Sequence, residues 1–201
     1  MYSKLPNLIL GFHGCDYSTL EKVVFHGEPM HASENDYDWL GHGMYFWEQN
    51  FERAFAWAQE QVKRGVYGKP AVIGAVIDLG NCLNLMDSAS IGIVKEEYEL
   101  LHAEFELLGR ELPQNHGRTQ DRLFRNLDCS VIEHLHERIE SASFSGVEPY
   151  DSVRGLFTEG QPIYPGSGFY EKTHIQLCVR NPNCIKGYFM PRVGTAEWPL
   201  P

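Results

Sequence analysis

His13 in Phe12-His13-Gly14, Tyr45 in Gly41-His42-Gly43-Met44-Tyr45-Phe46 and Gln176 in His174-Ile175-Gln176 are the positions whose types and surroundings suit chemistry on a small molecule. An imidazole can donate from one nitrogen and accept at the other, a phenol offers an aromatic face to a cation, and a primary amide donates and accepts but cannot take up a proton as a general base. Glycines beside the first two positions let the backbone approach a ligand closely. Two acids could supply the charge that Gln176 lacks: Glu171, five residues earlier, and Glu159 in Phe157-Thr158-Glu159-Gly160. Each position also has a structural reading. A strand histidine more often serves as an internal hydrogen-bonding group, a tyrosine in an aromatic strand belongs to a core, Gln176 can serve neighbouring backbone, Glu171 can solvate a loop, and Glu159 can pair with Arg154.

Other constellations fall away. His134 and His136 stand two apart on an expected helix and face different directions, so they make a poor metal pair, and no metal site is expected. The sequence holds no GxGxxG, P-loop or GxSxG pattern. Cys15, close to His13, is set aside as a nucleophile on the expectation that the two side chains leave opposite sheet faces.

The elements that must position these residues follow from hydrophobic periodicity. Leu8 to Gly14 alternates as a strand, with Leu8, Leu10 and Phe12 on one face and Ile9, Gly11 and His13 on the other. A brief helix is expected over Leu20 to Phe25 within a loop, followed by a short aromatic strand ending at Phe46. Asn50 caps a helix from Phe51 to about Lys63 with its apolar stripe at Phe51, Ala54, Phe55, Ala58 and Val62, and Gly65 stops it. Ala71 to Leu79 is apolar without alternation and reads as a central strand buried on both faces. Helices are expected from about Ile91 to Leu108 and from about Arg118 to Ile139. After an exposed Gly- and Pro-rich loop that ends near Tyr170, His174 to Val179 alternates, with Ile175, Leu177 and Val179 toward the core. Ile185 to Met190 adds a last strand. These elements make an α+β domain spanning residues 1–201.

The 43% apolar content of the 201-residue chain suffices for one core around a cleft. No run approaches the roughly 18 apolar residues of a membrane span, and no signal segment is evident, so neither secretion nor a membrane role is expected. Five cysteines without tight pairing read as free thiols of a cytoplasmic protein. A formal charge of −10 repels nucleic acid at long range unless a local basic patch, drawn from Lys63, Arg64, Lys69, Arg180, Lys186 and Arg192, overrides it.

At FHG and GHGMYF, in that order and followed by a helix and a late strand, the chain resembles the ADP-ribosyltransferase superfamily of the diphtheria-toxin and poly(ADP-ribose) polymerase type. The resemblance spans most of the chain. It implies split, mostly antiparallel β-sheets that form an NAD cleft, with helices packed outside. It also implies that NAD is the substrate, that His13 bonds a ribose hydroxyl, and that the Gly14 backbone holds the nicotinamide amide. By the same resemblance Tyr45 stacks on the nicotinamide, with Trp57 or Phe55 as the opposite wall and Trp57 favoured. Gln176 falls where the family carries its catalytic glutamate, so Glu171 or Glu159 would supply the charge, and His174 falls on the acceptor side. The implied activity is mono-ADP-ribosyl transfer to a macromolecular acceptor, protein before DNA or RNA, in the manner of a bacterial toxin or defence effector that an inhibitor or antitoxin protein could restrain. Two alternatives are an NAD- or ADP-ribose-binding module without turnover, and an NAD-dependent RNA 2′-phosphotransferase, which would need clustered arginines.

Overall fold

The computed structural model describes residues 8–117, 124–142 and 146–192. In chain order its elements are β1 (Leu8–Asp16), α1 (Tyr17–Leu20) running on as a π-helical turn (Glu21–Phe25), β2 (Met44–Glu48), α2 (Phe51–Lys63), β3 (Pro70–Asp78), β4 (Cys82–Asn84) and α3 (Ser88–Leu107). There follow β5 (Asn115–His116), β6 (Phe124–Arg125), α4 (Asn126–Ser141), β7 (Ser152–Phe157), β8 (His174–Val179) and β9 (Ile185–Phe189). Seven strands form one sheet in the order β4-β7-β8-β2-β1-β3-β9, antiparallel except for β4 against β7, while β5 and β6 make a separate hairpin. The fold is α+β with a mostly antiparallel sheet.

Two differences from the sequence reading concern this sheet. A pair of separate sheets was expected, but β2 joins β1 to β8 in a single one, although β1 and β2 pair only at Gly11↔Glu48 and Phe12↔Trp47. By contrast β1 follows β3 through nine positions, from Leu8↔Asp78 to Asp16↔Pro70. The apolar run of β3 is not central, since only β9 lies beyond it. It is apolar because both faces are covered, Val72 by α2 and Ile73, Ala75 and Ile77 by the opposite layer.

One face of the sheet carries α2 over β1 and β3, where Trp47, Ala54 and Val72 pack with Phe12 and Trp57. Further along that face, Ile132, Leu135 and Ile139 of α4 cover Leu83, Val153 and Cys178 together with Leu40. The other face packs Phe46, Ala75, Ile77, Leu177 and Val179, then Cys15, Ala71 and Ile73 beneath Leu20 and Val23. Both faces of β8 are therefore buried. His174 and Cys178, expected to point away from the core, are 5% and 0% exposed.

The helix boundaries follow local chemistry. Asn50 accepts from the Arg53 N–H at 3.0 Å and starts α2, and Gly65, at φ 74°, follows its end. The buried positions of α2 are Arg53, Ala54, Ala58 and Gln61, so two polar residues occupy its inner stripe where Val62 was expected. α4 begins at Asn126, after β6, rather than near Arg118, which lies outside the described residues. It is tied to α3 by the buried Glu97 carboxylate, which holds the Arg138 guanidinium through Nε and Nη2. No helix among the described residues is long and apolar enough to cross a membrane.

Candidate functional site

The sheet order places His13, Tyr45 and Gln176 on the consecutive strands β1, β2 and β8. Their side chains do not all share a face. Trp47 pairs with both Phe12 and Gln176, and Tyr45 pairs with Cys178, so Tyr45 and Gln176 lie on the α2 side. His13 alternates onto the opposite side, its ring 6.0 Å from Phe46. Cys15 lies on the same side as His13, because residues two apart on a strand share a face. That corrects the expected geometry, yet Cys15 remains a poor nucleophile: it is 2% exposed and burial pushes its thiol up to about 12.

His13 reaches across the gap that opens where β1 and β2 part. Its Nδ1 lies 2.8 Å from the Tyr45 carbonyl oxygen. A carbonyl only accepts, so Nδ1 carries the proton, and burial lowers the imidazole pKa and keeps the ring neutral. Nε2 therefore holds a lone pair, suited to accept from a hydroxyl group. The backbone beside it is equally informative. Leu10 directs its carbonyl at β2, where it accepts from the Gln49 N–H at 2.9 Å. Strand alternation turns the N–H and C=O of Gly14 toward the same edge, beyond the last β1–β2 pair at Phe12↔Trp47. Gly14 is required here, because a Cβ would overlap the Ala54 carbonyl oxygen of α2 and lie 3.3 Å from Trp57. Between the two aromatic residues considered as a wall near Gly14, Trp57 is the neighbour. Phe55 instead stacks on Phe51, with ring centroids 5.9 Å apart.

Tyr45 is anchored at its tip. Its hydroxyl donates to the Gly41 carbonyl at 2.8 Å and accepts from the Leu40 N–H at 3.0 Å, and burial raises its pKa. Gly41 can form this turn because it holds φ 78°, and a side chain there would meet Ile132 and Glu133. Tyr45→Phe should leave both backbone groups without their partner and lower stability by about 1–3 kcal/mol. At roughly 2–4 °C per kcal/mol for a chain of this size, a melting temperature within 1 °C of wild type would count against that anchoring role.

Gln176 accepts from the Trp39 indole N–H at 2.5 Å through Oε1, while Trp39 lies over Gly155. Its amide nitrogen is the remaining polar group. The two candidate acids separate clearly. Glu171 is exposed and staples its own loop, receiving the Gln161 N–H at 3.4 Å. Glu159 lies largely buried against Arg53, at 2.6 and 2.9 Å, with the Lys172 amine 3.7 Å away. Arg154, the partner expected for Glu159, holds Glu48 instead.

Sequence reasoning missed Arg53, Trp47 and Trp39. Arg53 carries no signal of its burial, since its partner stands 106 residues away and covers it only after folding. Two clefts lie apart from His13. One, of about 650 Å³, is lined by His42, Glu133, Glu140, Asp151 and Arg180. The other, of about 410 Å³, is an apolar groove between α3 and α4 at Val94, Tyr98 and Val131. Arg180 is held by Glu133 and Glu140, which removes it from any basic patch. His134 contacts Glu97 and Glu104, whereas His136 is buried against Tyr150. Among the described residues no three His, Cys, Asp or Glu side chains group as metal ligands.

No family model and no solved structure matches the chain. It is similar to an uncharacterized protein of Methanocaldococcus jannaschii, 25% identical over 190 residues that cover 87% of this chain and 83% of that protein.

Proposed function

We propose that the protein is an NAD-dependent mono-ADP-ribosyltransferase that uses NAD as substrate and passes ADP-ribose to a macromolecular acceptor. The observation that carries the reading is the gap between β1 and β2 at His13-Gly14. There the ladder stops, a strand edge presents the Gly14 N–H and C=O, and an imidazole of fixed tautomer spans to the facing strand. A peptide donor and acceptor side by side match a primary carboxamide such as that of nicotinamide, and His13 Nε2 suits a ribose hydroxyl. Trp57 beside Gly14 offers an aromatic face for the ring.

In the proposed reaction the C–N glycosidic bond breaks, its electron pair leaves with neutral nicotinamide, and an acceptor nucleophile bonds to the ribosyl carbon and loses its proton. In this reading Glu159, rather than the exposed Glu171, counters the cationic sugar, which requires it to give up part of its pairing with Arg53 and Lys172. The net charge of −10 favours a protein acceptor over nucleic acid. The RNA 2′-phosphotransferase reading is disfavoured because it needs clustered arginines, whereas Arg53, Arg154 and Arg180 sit in three separate ion pairs, with Glu159, Glu48 and Glu133. A cytoplasmic toxin-like or defence role, with an inhibitor or antitoxin protein as partner, belongs to the same proposal.

A second reading has its own support: the Tyr45 hydroxyl and Gln176 Oε1 are already engaged within the protein, as in a module that binds NAD or ADP-ribose without turnover. One experiment separates the two. Purified protein is incubated with labelled NAD and a cell lysate, and free nicotinamide is followed together with label in protein, DNA and RNA. Nicotinamide release with label in protein is expected. Binding of NAD with neither release nor label would replace the transferase by the binding module, and no binding would remove both.

A further inference from the structure

On the α2 face, four buried side-chain nitrogens have no hydrogen-bond partner among the described residues: Trp47 Nε1, Arg53 Nε and Nη1, and His174 Nε2. Trp47, Arg53 and His174 are 6%, 9% and 5% exposed. They are neighbours, with the Arg53 guanidinium carbon 5.7 Å from the Trp47 ring centroid and the Trp47 and His174 rings 6.0 Å apart. Buried polar groups are nearly always satisfied, so such a concentration on β2, α2 and β8 calls for an occupant with matching polar atoms.

The required chemistry can be read from the donors. The indole N–H and guanidinium N–H groups only donate, so the occupant must offer several acceptors and can be anionic. His174 supplies the opposite sense. Its Nδ1 lies 2.6 Å from the Lys172 carbonyl oxygen and so carries the proton, and burial keeps the ring neutral, which leaves Nε2 as an acceptor. An oxyanion that also bears a hydroxyl group satisfies the whole set. Hydrogen phosphate and singly protonated phosphate monoesters do so, whereas sulfate has oxygens but no proton to give.

Glu159 now occupies part of this demand through Arg53 Nη2. It arrives on the connection between β7 and β8, residues 158–173, which is clasped to α2 a second time by Lys172 with Glu60 at 3.1 Å. We propose that Trp47, Arg53 and His174 form a site for a phosphate group, free or as a monoester, and that Glu159 competes with that phosphate for Arg53. The site requires neither NAD nor turnover, so its failure and that of the transferase reading are distinguishable.

Calorimetric titration at constant ionic strength tests the site with potassium phosphate, ribose 5-phosphate and potassium sulfate. Saturable binding of phosphate is expected, with sulfate weaker by about tenfold or more because His174 Nε2 would face a second acceptor. Glu159→Gln removes the competing charge and should tighten phosphate binding about tenfold, while Arg53→Gln should abolish it. If Arg53→Gln does not fold, the Glu159→Gln result and the phosphate-to-sulfate contrast still decide. Stronger binding of ribose 5-phosphate identifies a monoester as the ligand, and stronger binding of inorganic phosphate identifies the free ion. Absence of saturable phosphate binding in both wild type and Glu159→Gln, or equal binding of sulfate, overturns the proposal and leaves the four nitrogens to buried water.

Discussion

A His13→Ala protein is expected to release nicotinamide from NAD about a hundredfold more slowly than wild type, equivalent to roughly 2.7 kcal/mol of lost transition-state stabilisation. The imidazole has two tasks that the variant removes together. Nδ1 ties β1 to the Tyr45 carbonyl where the ladder ends, and Nε2 is the acceptor proposed for a ribose hydroxyl. His13→Asn separates them, since an asparagine amide can reproduce the Nδ1 donor but cannot place an acceptor where Nε2 lies. Both variants should therefore lose activity, whereas only His13→Ala should lose stability, by about 1–3 kcal/mol for the orphaned carbonyl. Urea denaturation measured beside nicotinamide release reads both quantities. If His13→Asn keeps wild-type turnover, the histidine is only a clip between strands and the proposed contact with NAD is wrong.

The parts of this site that were legible in the sequence are those written in local pattern. Alternation in Leu8 to Gly14 and in His174 to Val179, the Asn50 cap and the following apolar stripe define β1, β8 and α2 because each is decided within a few residues. The way the sheet closes was not legible. Whether β2 joins β1 depends on two residue pairs between strands more than 30 residues apart, and nothing in Gly41 to Phe46 states that the pairing stops after Trp47. The same limit explains Arg53 and Glu159, whose pairing depends on the fold of a connection that has only turn residues to mark it. It also explains why β8 was read as half-exposed: its second face is polar at His174 and Gln176, yet Trp39, Phe157 and α4 cover it from distant parts of the chain.

Acid should begin to destabilise this protein well above the pH at which its carboxylates protonate. His136 is 2% exposed, and burial, reinforced by the Arg180 charge, lowers its pKa to about 3. Burial lowers His13 and His174 as well. For a histidine depressed in the folded state, both states are neutral above the unfolded value of about 6.5, so pH has no effect through it there. Below that value the unfolded chain binds a proton that the folded chain refuses, and stability falls by about 1.4 kcal/mol per pH unit for each such residue until its folded pKa is reached. Asp16, held well below the usual carboxylate range by the Lys69 N–H, by Ser18 and by the Gly68 N–H, acts in the same direction but only below about pH 4. Denaturation at pH 7 and pH 5 therefore isolates the histidines. His136→Phe, which fills the space beside Tyr150 without a titrating group, should reduce the loss between those pH values by about 2 kcal/mol whatever its effect at pH 7. An unchanged difference between pH 7 and pH 5 would mean that His136 takes up its proton without unfolding, through an opening beside Tyr150 that admits water.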